Sequence, residues 1–272
     1  MIDISKIDYS AFDIPEITMT LFYPRREMGT PEPAGPHESV LIPVEKEIQV
    51  GGRFHLASLM APNILFFHGN GEIVSDYDDM ALLYRDAGIN FLPVDYRGYG
   101  RSTGRPSVTA MMRDCHVIFW YTRTWLTERG YRGPFIVMGR SLGSASALEL
   151  AYQYEQIIDG LIIESGFAYV EPLLNLLGLS LDYLGLTEKE GFGNIDKIRH
   201  FSGPTLIIHG EYDDIIPFAE GKSLFEASPS RQKRFLAVQF AGHNDLFFRG
   251  MTDYLDAVGW LTKLLAGPNS TS

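Results

Sequence analysis

From residue 64 onward the chain is punctuated by short, nearly continuous apolar runs: Ile64-Leu65-Phe66-Phe67, Asn90 to Val94, Phe135 to Met138, Gly160 to Ile163, Thr205 to Ile208 and Arg234 to Phe240. Runs of this length that do not alternate with polar residues suit strands buried on both faces. Between them lie stretches with apolar residues at helical spacing: Ser75 to Ala87, Ser107 to Glu128, Leu142 to Tyr154, Phe218 to Ala227 and Met251 to Leu265. Strand followed by helix, repeated, predicts a mostly parallel sheet covered by helices on both faces, an α/β fold. Upstream, Val40 to Val50 and Phe54 to Met60 alternate enough to predict an antiparallel pair joined at Gly51-Gly52, a turn that needs positive φ.

Two regions depart from that rhythm. Residues 1–38 hold five prolines, at 15, 24, 31, 33 and 36, and read as an irregular N-terminal arm on a domain that spans 39–272. Residues 167–203 carry Leu173-Leu174-Asn175-Leu176-Leu177 and a second leucine-rich stretch to Leu186, and are predicted to be a small helical cap inserted between two strands. A connection this long inside a compact domain is usually functional.

Composition narrows the classes. With 272 residues and 45% hydrophobic content the chain can bury a large core, and its net charge of -11 argues against nucleic acid or an anionic membrane as partner, since both would be repelled. The single cysteine, Cys115, sits in an apolar helical stretch and reads as a packed thiol. There is no basic-then-apolar leader and no apolar run long enough to cross a membrane, so a cytoplasmic protein without stable membrane insertion is expected.

The chemistry centres on Gly139-Arg140-Ser141-Leu142-Gly143, which follows an apolar run and precedes the small-residue stretch Ser144-Ala145-Ser146-Ala147. Gly-x-Ser-x-Gly between a strand and a helix is a nucleophile elbow: the turn is so tight that the serine is strained and its hydroxyl exposed at the helix N-terminus. There the Leu142 amide can donate to a developing oxyanion. A serine needs a base to take its proton, and a base needs a carboxylate to fix its tautomer. Candidates lie where ligands bind in α/β sheets, beyond the carboxyl ends of the strands. These are His68-Gly69-Asn70-Gly71, Asp95 to Gly100, His209 to Asp214, and Ala241-Gly242-His243-Asn244-Asp245. Of seven histidines, His243 alone occupies a polar loop after a late strand and downstream of an acidic loop, giving the chain order Ser141, Asp213, His243.

Taken together, these stretches resemble the α/β-hydrolase fold, over residues 40–265. Within it the chain is similar to the branch of α/β-hydrolase-domain proteins that includes the protein depalmitoylases, and to dipeptidyl-peptidase-like hydrolases. His68-Gly69-Asn70-Gly71, Asp95-Tyr96-Arg97-Gly98-Tyr99-Gly100-Arg101-Ser102, the elbow, His209-Gly210-x-x-Asp213-x-x-Ile216-Pro217 and Gly242-His243-Asn244-Asp245 occur in the order of that branch. The resemblance implies Ser141 as nucleophile, Asp213 as acid, His243 as base, and an oxyanion hole from the amides of Leu142 and Asn70, with no cofactor. In the first of these loops the second glycine falls one position earlier than in the depalmitoylases, which leaves Gly71 as the other candidate donor. The anchored relatives carry an N-terminal hydrophobic segment or a cysteine cluster that this chain lacks, so lipidated protein substrates are not expected.

Other readings are open to the same residues. Glu164 also ends an apolar run and is the alternative acid; otherwise it would hold a neighbouring loop, and Arg140 would face a structural acid. His68 and His209, each before a glycine, read as loop-pinning residues. Gly98-x-Gly100 with Gly104 misses the dinucleotide spacing by one residue, so NAD is excluded, and the remaining histidines show no metal-ligand spacing. The expected activity is hydrolysis of a small-molecule carboxylic ester through an acyl-enzyme on Ser141. The alternatives are an amide or thioester hydrolase with the same three residues, and a non-catalytic binding protein on a hydrolase scaffold.

Overall fold

Residues 2–29 and 35–266 are described by the structure, a computed structural model. Pro31 and Pro33 of the predicted arm, and residues 267–272 at the end of the predicted 39–272 domain, lie outside them. The chain divides into two compact units, Met1–Ile136 and Val137–Ser272.

The first unit opens with two single turns of 3-10 helix and α1 (Pro15–Leu21), which starts on a proline whose missing N–H costs nothing at that position. Then follow β1 (His37–Glu45), β2 (Ile48–His55), β3 (Asn63–Phe67), α2 (Asp78–Asp86), β4 (Asn90–Val94) and α3 (Val108–Glu128), capped by the Ser107 hydroxyl accepting from the Ala110 amide. Within this unit the strand order is β1-β2-β4-β3, with β3 and β4 parallel and the other pairs antiparallel. Every residue of β3 and β4 is buried, as their unbroken apolar character predicts. Cys115 is buried in α3.

The glycine pair was expected to make the first hairpin turn, and the structure corrects this. Gly51 and Gly52 lie inside β2, opposite Leu41 and Val40, while the chain reverses at Lys46-Glu47, where Glu47 has φ 65°. The glycines are there for close approach: a Cβ on Gly52 would stand 3.1 Å from Val40 Cγ2 and 3.3 Å from the Pro93 carbonyl oxygen.

The second unit takes up β5 (Phe135–Arg140), whose first two residues fall in the first unit, and continues through α4 (Gly143–Gln153) and β6 (Gly160–Glu164). Segment 167–203 follows, with three short helices, α5 (Val170–Leu176), α6 (Leu181–Leu184) and α7 (Asn194–Ile198). The unit ends with β7 (Thr205–Gly210), α8 (Phe218–Ala227), β8 (Lys233–Val238) and α9 (Leu246–Ala266). Strand order here is β5-β6-β7-β8, with β6, β7 and β8 parallel.

Two carboxylates tie segment 167–203 down at its start. Glu220 of α8 accepts from the amides of Ala168 and Tyr169, both at 2.9 Å, and Glu188 accepts from those of Val170 and Glu171, also at 2.9 Å. Without them four amides at a chain turn would lack partners.

Two boundaries differ from the sequence pattern. Helix α9 begins five residues before the predicted Met251, and Gly250 interrupts it with φ -120° and ψ 24°. A Cβ there would sit 2.6 Å from Val238 Cγ1, so the kink lets the helix lie against β8. Strand β8 stops at Val238, because the Ala241 amide turns back to the Val238 carbonyl and sets Phe240 at φ 58°.

Candidate active site

Glycine geometry builds the elbow at the end of β5. Ser141 takes φ 51°, in the left-handed region that a side chain disfavours. Its amide donates to the Glu164 carbonyl of β6 at 2.9 Å, and its carbonyl accepts from the Ser144 amide at 3.0 Å. A Cβ on Gly139 would lie 2.3 Å from the Gly143 carbonyl oxygen, so the turn closes only with glycine there. Leu142 then stands at the N-cap of α4, and the first-turn amides of Ser144 and Ala145 donate back to the carbonyls of Ser141 and Leu142.

Ser141, His243 and Asp213 come together in the second unit, each under 10% exposed. His243 Nε2 lies 3.0 Å from Ser141 Oγ, and its Nδ1 lies 2.8 and 3.0 Å from the two Asp213 carboxylate oxygens. A carboxylate only accepts, so Nδ1 carries the proton, and in the neutral ring Nε2 is the acceptor facing the serine hydroxyl. Burial would raise the pKa of Asp213. Hydrogen bonds from His209, from His243 and from the Ile216 amide outweigh that penalty and hold its carboxyl well below the usual carboxylate range. The Ile215 and Ile216 amides donate to Asp213 Oδ1 at 3.0 and 2.7 Å, which aims the other oxygen at the imidazole.

Glu164, the alternative acid, has other partners. Arg140 Nε donates to its Oε1 at 3.1 Å and the Tyr254 hydroxyl to its Oε2 at 2.7 Å. The Arg140 guanidinium also donates to the His243 carbonyl at 2.7 Å and to Asn244 Oδ1 at 3.3 Å. Asp214 is exposed. His209 donates from Nε2 to the Ile216 carbonyl at 2.9 Å and stands 3.4 Å from Asp213 Oδ2, pinning the acid loop.

Asn70 and Gly71 belong to the first unit. The Asn70 side chain is fixed there: its Oδ1 accepts from the Tyr23 amide at 2.7 Å and from the Tyr99 hydroxyl at 2.8 Å. Gly71 has φ 76°, and its carbonyl accepts from Arg25 Nε at 3.1 Å. Glu72 accepts from the Gly69 amide at 2.6 Å and the Tyr77 hydroxyl at 2.5 Å, closing the loop from its far side. His68 donates from Nδ1 to the Gly69 carbonyl at 2.8 Å and stands 3.3 Å from Asp95.

Sequence reasoning missed the contributions of Tyr23 and Arg25 to this loop and of Tyr254 to Glu164. Contacts between residues 47 and 90 positions apart leave no local pattern to read. Among the described residues, no group of His, Cys, Asp and Glu side chains is arranged to hold a metal ion, and no helix is long and apolar enough to cross a membrane.

Comparison with known proteins shows what this chain is similar to. The family model described as serine aminopeptidase, S33, matches residues 60–185, which include the elbow and stop short of Asp213 and His243. The chain is 33% identical to lysophosphatidylserine lipase ABHD12 of Xenopus tropicalis, over 69% of this chain and 53% of that protein. It is likewise 33% identical to alpha/beta hydrolase domain-containing protein 17B of Xenopus laevis, over 69% of this chain and 62% of that one. The chain thus spans little more than half the length of the curated relatives it matches. Among solved structures, the esterase Pf2001 of Pyrococcus furiosus superposes with a TM-score of 0.72 at 17% identity, over 90% of this chain and 99% of the esterase.

Proposed function

The chain belongs to the α/β-hydrolase superfamily, and from that footing we propose that it is a serine hydrolase that cleaves a small-molecule carboxylic ester through an acyl-enzyme on Ser141. The observation that carries this reading is the unbroken hydrogen-bonded series from Ser141 Oγ through both ring nitrogens of His243 to Asp213, on a serine strained to φ 51°. Ser141 Oγ attacks the acyl carbonyl while His243 Nε2 takes its proton, and Asp213 stabilises the imidazolium without accepting that proton. The oxyanion of the tetrahedral intermediate is met by the Leu142 amide. Collapse expels the alcohol with the proton from His243. Water, deprotonated by the same imidazole, then frees the acid and restores Ser141. No cofactor or metal takes part.

Segment 167–203 is the cap in this reading, and its leucines supply the apolar wall for an acyl group. A cytoplasmic location accompanies it. Because one relative is named for lysophosphatidylserine, single-chain phospholipid esters join simple esters in the substrate class to be tried. A second reading, amide hydrolysis, has the aminopeptidase description of the matching family model behind it, since these three residues do not discriminate the leaving atom.

The test is Ser141→Ala, assayed on p-nitrophenyl esters of graded acyl length and on aminoacyl p-nitroanilides. The wild type is expected to turn over the esters and to be labelled by a fluorophosphonate. The variant should fold, lose labelling and keep about a thousandth of the activity or less. Undiminished ester hydrolysis by the pure variant would sink the reading, and cleavage confined to the anilides would favour the second.

A further inference from the structure

The loop that carries His243 is held from the nucleophile's side. Arg140 immediately precedes Ser141, and its guanidinium is about one-tenth exposed. One edge is taken by Glu164 Oε1, and the terminal nitrogen reaches the His243 main-chain carbonyl at 2.7 Å and Asn244 Oδ1 at 3.3 Å. Glu164 is itself fixed twice, by the Tyr254 hydroxyl on its second oxygen and by the Ser141 amide on its backbone carbonyl. The serine and the base are therefore closed into one ring of contacts: Ser141 to Glu164 through the backbone, Glu164 to Arg140 through the ion pair, Arg140 to His243 through the carbonyl.

A buried ion pair is an expensive way to fill space, because two charges lose their hydration, and apolar side chains of like volume often serve stability as well or better. What apolar side chains cannot do is donate in two directions at a fixed angle. The planar guanidinium can, and a lysine ammonium, a point charge on a flexible stem, does so poorly.

We propose that Arg140 is a positioning residue of this site: oriented by Glu164 and Tyr254, it fixes the main chain at His243 and thereby sets the distance from His243 Nε2 to Ser141 Oγ. The proposal rests on the reading of Ser141, His243 and Asp213 as nucleophile, base and acid. Its consequence is that the pair matters to turnover separately from its effect on folding, since the base must meet the serine in a near-attack geometry.

The experiment uses the full chain and a soluble p-nitrophenyl ester. It compares wild type, Arg140→Lys, Glu164→Gln, and the apolar double variant Arg140→Met/Glu164→Leu, with Ser141→Ala as reference. Arg140→Lys is expected to lower kcat by about 10- to 100-fold with KM changed by no more than about threefold, the size expected when a reacting group is misplaced by an ångström or less. Glu164→Gln, which keeps an acceptor for Arg140, should lower kcat by about tenfold, and the rate of fluorophosphonate labelling should fall in step with kcat in both. The apolar double variant separates the two roles: it should melt close to wild type and stay at least about 10-fold down in kcat. Full kcat in a folded apolar variant, or in Arg140→Lys, overturns the proposal. If Ser141→Ala stays active and labelled, it is the underlying triad reading that fails. If Ser141→Ala is dead while every Arg140 variant runs at wild-type rate, the triad stands and only the positioning role falls.

Discussion

Asp213 is buried yet stays ionised, and the cause is local. Two backbone amides and the imidazoles of His209 and His243 make the charged form cheaper than the neutral one, against a burial penalty of opposite sign. Because its folded pKa lies below the unfolded value, its contribution to stability is fully present above about pH 4, the ordinary aspartate value, and is lost as pH falls through the lower folded value. Asp213→Asn should therefore show its largest drop in melting temperature near neutrality, with the gap to wild type narrowing below about pH 4. Melting curves from pH 3 to 7 read this directly. The same substitution removes the partner that fixes the imidazole tautomer, so kcat should fall by about 10^3- to 10^4-fold, far more than for Glu164→Gln. A Glu164→Gln variant deader than Asp213→Asn would move the acid to β6.

At the level of elements, glycine shows how much could be read beforehand and how much could not. Gly139 was legible as part of the elbow because the motif and its strand-helix flanks coincide, and the structure supplies the reason, a Cβ that would lie 2.3 Å from the Gly143 carbonyl oxygen. That obstacle is backbone and cannot rotate away. Gly139→Ala is expected to cost about 1–3 kcal/mol or more in urea unfolding, as overpacking does, and to lower activity even where it folds, because the strained serine moves. The Gly51-Gly52 pair carries the same letters and means something else, a close approach to Val40 and to β4 inside a strand. Pattern alone cannot tell a turn from a crowded strand, because the neighbour that crowds it lies far away in sequence. The buried strands were legible for the opposite reason, as each announces itself by composition within a few residues. The start of α9 was not: Gly250 breaks the helical pattern locally, and only the proximity of Val238 explains it. Segment 167–203 was legible as an interruption, whereas its attachment through Glu220 was not. Glu220→Ala would strip both amides at Ala168 and Tyr169 of their acceptor, a loss of about 1–3 kcal/mol for the buried Ala168 donor and less for the part-buried bond at Tyr169. Hydrogen exchange at Ala168 and Tyr169 should accelerate in the variant, while protection in β6 and β7 is retained.

For the whole molecule the governing quantity is charge. The chain carries 34 acidic against 23 basic side chains, a net charge of -11. A protein of this size with that excess holds a negative mean potential over its surface, which lowers the local concentration of anions and raises that of cations. The field is screened within about 10 Å at 0.1 M salt and about 3 Å at 1 M. For three p-nitrophenyl esters, kcat/KM should respond to sodium chloride according to the charge on the acyl part. A hemisuccinate should gain several-fold between about 10 mM and 0.5 M salt, an ester of a trimethylammonio-carboxylic acid should lose by a similar factor, and a neutral butyrate should stay within about twofold. The change should appear in KM, because screening alters encounter and not the positions of Ser141 and His243. An equal rise for all three esters would point to a salt effect on the protein itself. A fall for the hemisuccinate would mean that a local cationic patch, and not the net charge, governs the approach to Ser141.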